Sequence, residues 1–185
     1  MHFARLAVAI AEDLAKVARS NPNEKLPKEE QIRSCLYAEL RPEFEVVCVE
    51  RGYDSIEKKS TTEVDIWARR TTGEIYWIEI KRFWHVGGRG WIHKPDEQLS
   101  TWQADLNKLA RVSITDTRIF ILVGLLAVDP DTNLLEVQKG AIRRLNSFHP
   151  DHRSYQDVFP FAWRESPVSR LSISIWEWKR GEAIS

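Results

Sequence analysis

The chain has 185 residues, with 27 basic and 27 acidic side chains and a formal charge of zero. That length supports one ordinary hydrophobic core, and the balanced charge excludes a global basic field, so any nucleic-acid contact falls to a local patch. The two cysteines, Cys35 and Cys48, are too few for a disulfide framework or a zinc site and read as small buried hydrophobes in a reducing compartment.

Phe3, Leu6, Ile10, Leu14 and Val17 recur at helical spacing, which predicts an amphipathic helix over residues 2–19. Glu12, Asp13 and Lys16 interrupt its apolar positions. A membrane span or signal peptide needs a longer clean run, so the expectation is a cytoplasmic protein without membrane contact. Ser20 to Asn23 breaks the helix, and Pro27 opens a second one with Glu29 and Glu30 in its first turn, where acids suit the macrodipole. Ile32, Leu36 and Leu40 form its apolar stripe, and Pro42 closes it.

Phe44 to Val49 is apolar and β-branched, a first strand. Residues 51–61 are polar and irregular. Val64 to Ala68 is a second strand, and the turn Thr71 to Glu74 joins it as a hairpin to a third, Ile75 to Lys81. A Gly-rich loop follows to Lys94, then a helix from Pro95 to about Arg111 with Leu99, Trp102, Leu106 and Leu109 on one face. Arg118 to Val128 is a continuous apolar run, as in a central strand buried on both faces. Residues 133–147 are weakly helical, and residues 148–167 read as an irregular connection. Leu171, Ile173 and Ile175 mark a last strand. The order α-α-β-β-β-α-β, then a helix and a strand, predicts an α/β sandwich.

The chemistry lies in the hairpin. Asp65 sits inside one apolar run, and Glu79 and Lys81 sit two apart in the next. Charges are rare inside such runs unless paired or holding a metal. Side chains alternate along a strand, so Glu79 and Lys81 share one face while Ile78 and Ile80 share the other. If the two strands pair, one surface carries two carboxylates and an ammonium, a set suited to a divalent metal and a water-activating cation.

Asp65 on the second strand and Glu79-Ile80-Lys81 on the third, within this element order, resemble the PD-(D/E)xK nuclease superfamily, the restriction-endonuclease-like fold. Val64 stands where the superfamily's name has a Pro. The resemblance covers residues 27–128 of one domain, with 1–26 as an N-terminal helix and 129–185 as C-terminal decoration around a central mixed sheet. It implies a Mg²⁺- or Mn²⁺-dependent nuclease acting on DNA, with Asp65, Glu79 and the Ile80 carbonyl as metal ligands. Mg²⁺ neutralises phosphoryl charge and activates a bound water. Lys81 then orients or deprotonates that water, or stabilises the transition-state charge. The resemblance also implies an acid from the helix before the first strand. Glu29 lies on the inward stripe and Glu30 points away, so Glu29 is the choice, with Glu50 as the other candidate.

Several residues keep two readings. Trp84 and Trp91, with Lys81, Arg82, Arg89 and Lys94, form a DNA-contacting loop or tuck onto the core. His85 and His93 do not match a zinc spacing and are surface-loop histidines. Gln98 comes early enough in its helix to reach the site. Arg69, Arg70, Arg143 and Arg144 are phosphate contacts or solubilising charges. Trp176 and Trp178 face outward as a homodimer or protein-partner surface, or are covered by residues 148–167. A regulatory or assembly factor on the same scaffold, without turnover, is the rival to the nuclease.

Overall fold

The computed structural model describes residues 1–20, 28–52, 63–84, 95–127, 143, 145–162 and 168–184. Its elements are α1 (Phe3–Ser20), α2 (Glu29–Leu40), β1 (Val46–Gly52), β2 (Glu63–Arg69), β3 (Ile75–Trp84), α3 (Pro95–Leu109), β4 (Thr117–Ala127), a 3₁₀ turn (Pro150–His152), β5 (Arg153–Pro160) and β6 (Val168–Trp178). The strands form one six-stranded sheet in the order β1-β2-β3-β4-β6-β5. Only β3 and β4 run parallel; every other pair is antiparallel. The protein is therefore α/β with a mixed sheet, and α3 is the crossover that parallel pairing demands.

Local chemistry sets the element ends. Gln31 accepts the backbone N–H of Lys28 at 2.9 Å, which satisfies a donor at the start of α2. Gly73, at φ +85°, closes the β2–β3 hairpin, a conformation open to glycine without strain. The Arg70 N–H donates to the Glu74 carbonyl at 2.9 Å and completes that turn.

Two cores lie on opposite faces of the sheet. One joins Leu6, Ile10 and Leu14 of α1 and Ile32, Leu36 and Leu40 of α2 to Ile66, Ile78, Ile80, Ile121 and Ile173. The other is aromatic, with Trp77, Phe83, Trp102, Phe120, Phe148, Trp176 and Trp178 around α3. β4 is buried along its length between β3 and β6, as its unbroken apolar run predicts.

One expectation is corrected here. Residues 153–160 are a strand, β5, on the sheet edge, rather than part of an irregular connection. Tyr155 and Phe159 of this strand turn to the α1–α2 core, Arg153 lies over Trp176, and the remaining positions are exposed. Of the two readings of Trp176 and Trp178, coverage by residues 148–167 holds, and both rings are fully buried. Phe148, His149, His152 and Arg153 pack over them, and the Phe148 carbonyl accepts the Trp176 Nε1–H at 2.8 Å. Of the segment expected to be weakly helical, Arg143 and residues 145–147 are described, and they are helical. No helix among the described residues is long and apolar enough to cross a membrane.

Candidate functional site

The site forms where the sheet forks. β2 stays paired with β1 out to Gly52–Glu63, whereas its ladder with β3 ends at Ile66–Ile78. Past that point the N–H of Ile80 lacks a strand partner on the β2 side. The Asp65 carboxylate supplies one, with Oδ2 accepting that N–H at 2.8 Å. The N–H and C=O of one residue leave a strand on the same edge, so the Ile80 carbonyl also faces the Asp65 side. The Asp65 N–H points back to Glu79 Oε2 at 3.4 Å.

Glu79 and Lys81 share the aromatic face with Trp77 and Phe83, as alternation predicts. Glu79 is only 3% exposed. Lys81 Nζ lies 3.5 Å from Glu79 Oε1 and 3.4 Å from Asp105 Oδ2 of α3. Asp105 is itself 5% exposed and takes Lys108, one turn on, as a second cation.

α2 delivers two more groups. Glu29 and Arg33 are four apart and so share one helix face. Arg33 Nη1 lies 3.7 Å from Asp65 Oδ1 and also pairs with Glu50 across the end of β1. Glu29 is partly buried, within electrostatic reach of Lys81, Asp65 and Arg82, and it accepts a backbone hydrogen bond from Arg82. Glu30 is exposed on the outer side of the helix.

The charges perturb one another. Burial pushes the Asp65 carboxyl above the ordinary range, against the pull of the Ile80 N–H, Lys81 and Arg33. Burial likewise raises Glu29, against Lys81, with the Asp65 charge adding to the rise. For Lys81 burial pulls the other way, but Glu79, Asp105, Glu29 and Asp65 outweigh it and hold the amine above its ordinary value. With only its own side chains around it, Lys81 is an ammonium at neutral pH.

The structure therefore brings Glu29, Asp65, Glu79, Ile80 and Lys81 to one place. Among the described residues Glu50 touches this group only through Arg33. Asp105, rather than Gln98, carries the contact of α3 with Lys81, and no described contact joins Gln98 to the site. Asp105 had a readable signal: it lies on the buried stripe of α3, between Trp102 and Leu106. Arg33 had a weaker one, its four-residue spacing from Glu29. Arg69 pairs with Glu45, and Arg70 with Glu74 and the rings of Phe44 and Tyr76, so both serve the hairpin end. His85, Arg89, Trp91, His93, Lys94, Arg144 and the Trp84 side chain lie outside the described residues.

Among the described residues no three Asp, Glu, His or Cys side chains gather as a ready cation cage. The donors present are two carboxylates and a backbone carbonyl, all hard oxygens. That set fits Mg²⁺ or Mn²⁺, which take one or two carboxylates and complete their shell with water and substrate oxygens, and it does not fit zinc. The chain matches no family model, no curated protein and no solved structure.

Proposed function

We propose that this protein is a metal-dependent nuclease that hydrolyses DNA phosphodiester bonds, on a restriction-endonuclease-like fold of the PD-(D/E)xK superfamily. The observation that carries the reading is the convergence of Asp65, Glu79 and Lys81 at the β2–β3 fork, with Glu29 of α2 beside them. The support is chemical. Five carboxylates, from Glu29, Glu50, Asp65, Glu79 and Asp105, gather around Lys81 and Arg33 at the fork, and a divalent ion suits the hard oxygens of such a set.

Asp65, Glu79 and the Ile80 carbonyl would hold Mg²⁺ or Mn²⁺, which supplies charge neutralisation at the phosphoryl group and a more acidic water. Lys81, kept as an ammonium by the surrounding carboxylates, orients the attacking water and neutralises charge that develops on the phosphoryl oxygens. Asp105 fixes the direction of the Lys81 chain from α3. Glu29, with its raised pKa, accepts or relays a proton at the water side of the site. The rival interaction-module reading drew on the balanced charge and on outward tryptophans, and Trp176 and Trp178 are buried.

The test is incubation of linear, circular and single-stranded DNA with Mg²⁺ or Mn²⁺, using wild type beside Asp65→Ala and Lys81→Ala. Cleavage by wild type that both substitutions abolish supports the reading. Cleavage that survives both places the activity elsewhere, and no cleavage of any substrate turns the weight to the interaction module.

A further inference from the structure

Beside the fork, α2 and β1 line an open cavity of about 350 Å³ with Glu30, Arg33, Ser34, Tyr37, Val49 and Glu50 on its walls. That volume is within the range of small-molecule sites. Its walls divide by chemistry. The Tyr37 ring and Val49, which is 46% exposed although apolar, offer flat and aliphatic surface. Glu30 and Glu50 offer carboxylates. Arg33 stands between this cavity and Asp65, touching Glu50 on one side and Asp65 on the other.

Glu50 carries a second, independent sign. Its φ is +52°, a left-handed conformation that a non-glycine residue adopts at a cost. The β1–β2 ladder passes from Val49–Ile66 to Arg51–Val64, and the strained residue falls between these pairs, across from Asp65. No packing need explains the strain, because the Glu50 side chain is 60% exposed. What the conformation does achieve is to set a carboxylate on the cavity wall. Among the described residues Arg33 is its one polar partner, through Oε1.

We propose that this cavity is a base-binding subsite, which takes an unpaired nucleobase bearing an exocyclic amino group next to the cleavage centre. The inference rests on the nuclease reading for its choice of ligand. A base lies with its ring face on Tyr37 and Val49, and stacking of this kind tolerates any base. Glu50 selects among bases: a carboxylate accepts from the amino group of cytosine or adenine and is repelled by the O4 acceptor that thymine presents in its place. Arg33 meets the phosphate that links this nucleotide to the scissile one. A paired base cannot enter, because its ring faces are covered by its neighbours in the stack, so the subsite favours frayed or single-stranded DNA.

The test is anisotropy binding of labelled single-stranded dA, dC and dT hexanucleotides to the full chain, in EDTA so that no cleavage occurs. Wild type binds dA and dC at least about fivefold tighter than dT, the low end of discrimination by a base-edge contact. Glu50→Gly removes the carboxylate and suits the positive φ, so the protein folds and the ratio falls to near one. Tyr37→Leu weakens all three by about fivefold or more while keeping the ratio. Equal binding of dT in wild type, an unchanged ratio in Glu50→Gly, or no binding of any oligonucleotide overturns the subsite. Parallel cleavage assays separate the two readings. Cleavage with flat base preference leaves the nuclease and removes the subsite, whereas base preference lost in Glu50→Gly without any cleavage leaves the subsite and removes the nuclease.

Discussion

Lys81→Met tests the energetics of the site most directly. Its ammonium stands 3.5 Å from Glu79 and 3.4 Å from Asp105, two carboxylates almost sealed from water. At an effective dielectric of about 20, each such pair attracts with roughly 4–5 kcal/mol. Desolvating the three ions offsets most of that attraction, so the intact set adds little net stability. Removing the cation alone is different, because both carboxylates stay buried without it. Breaking a buried pair from one side costs about 3–5 kcal/mol. Lys108 still holds Asp105, which puts the expected loss near the lower end, about 3 kcal/mol. For a protein of this size that is a fall of roughly 6–12 °C in Tm.

The assay is thermal unfolding by circular dichroism at pH 7 in EDTA, for wild type, Lys81→Met, Glu79→Gln and the double variant. The double variant recovers about half the loss or more, since a neutral amide needs no counter-ion. A Lys81→Met protein that melts within about 2 °C of wild type would mean that the carboxylates reach water, and the assignment of a sealed charge cluster would fail.

The pH dependence has a definite sign. Burial holds Asp65 and Glu29 above the ordinary carboxylate range, so each favours its protonated form when folded. Their contribution to stability is complete below the unfolded values and is lost as pH rises through the raised folded ones. Asp65→Asn and Glu29→Gln should therefore raise Tm at pH 7 without divalent ions, and the gain should vanish below about pH 4. Mn²⁺ at about ten times its dissociation constant should stabilise wild type by roughly 1.4 kcal/mol in urea unfolding and leave Asp65→Asn unchanged. Gly124→Ala places a Cβ 1.9 Å from the Phe83 ring across the β3–β4 ladder, and overpacking there should cost about 1–3 kcal/mol in the same assay. Trp176→Phe strands the buried Phe148 carbonyl and should cost about 1–3 kcal/mol.

What was legible in the sequence depended on how far each signal reaches along the chain. The hairpin that carries Asp65, Glu79 and Lys81 was legible because its pattern is local: two apolar runs of period two, joined by a glycine turn. β5 was not, because an edge strand commits only one face to the core, and Pro150 and Pro160 bracket a stretch that is polar at most other positions. The tryptophans of β6 could not be placed by alternation alone. Leu171 and Trp176 point to opposite faces, but both faces of this sheet are buried, each under its own core. Asp105 and Arg33 acquire their meaning only when α3 and α2 are laid against a hairpin far away in sequence.

Asp65 also bears on the choice between a nuclease and a passive scaffold. Its carboxylate closes the end of a β ladder by accepting the Ile80 N–H. An asparagine would accept that hydrogen bond as well and would bring no charge into the protein. The ionised group is instead kept beside Glu79 and Glu29, where burial and like charge both oppose it. The same holds for Glu79, which is buried at 3% exposure with the Lys81 ammonium beside it. A binding module gains nothing from ions that weaken its own fold. A site that must hold a divalent cation needs that excess of negative charge before the cation arrives, and the stability it forgoes returns as affinity for the ion.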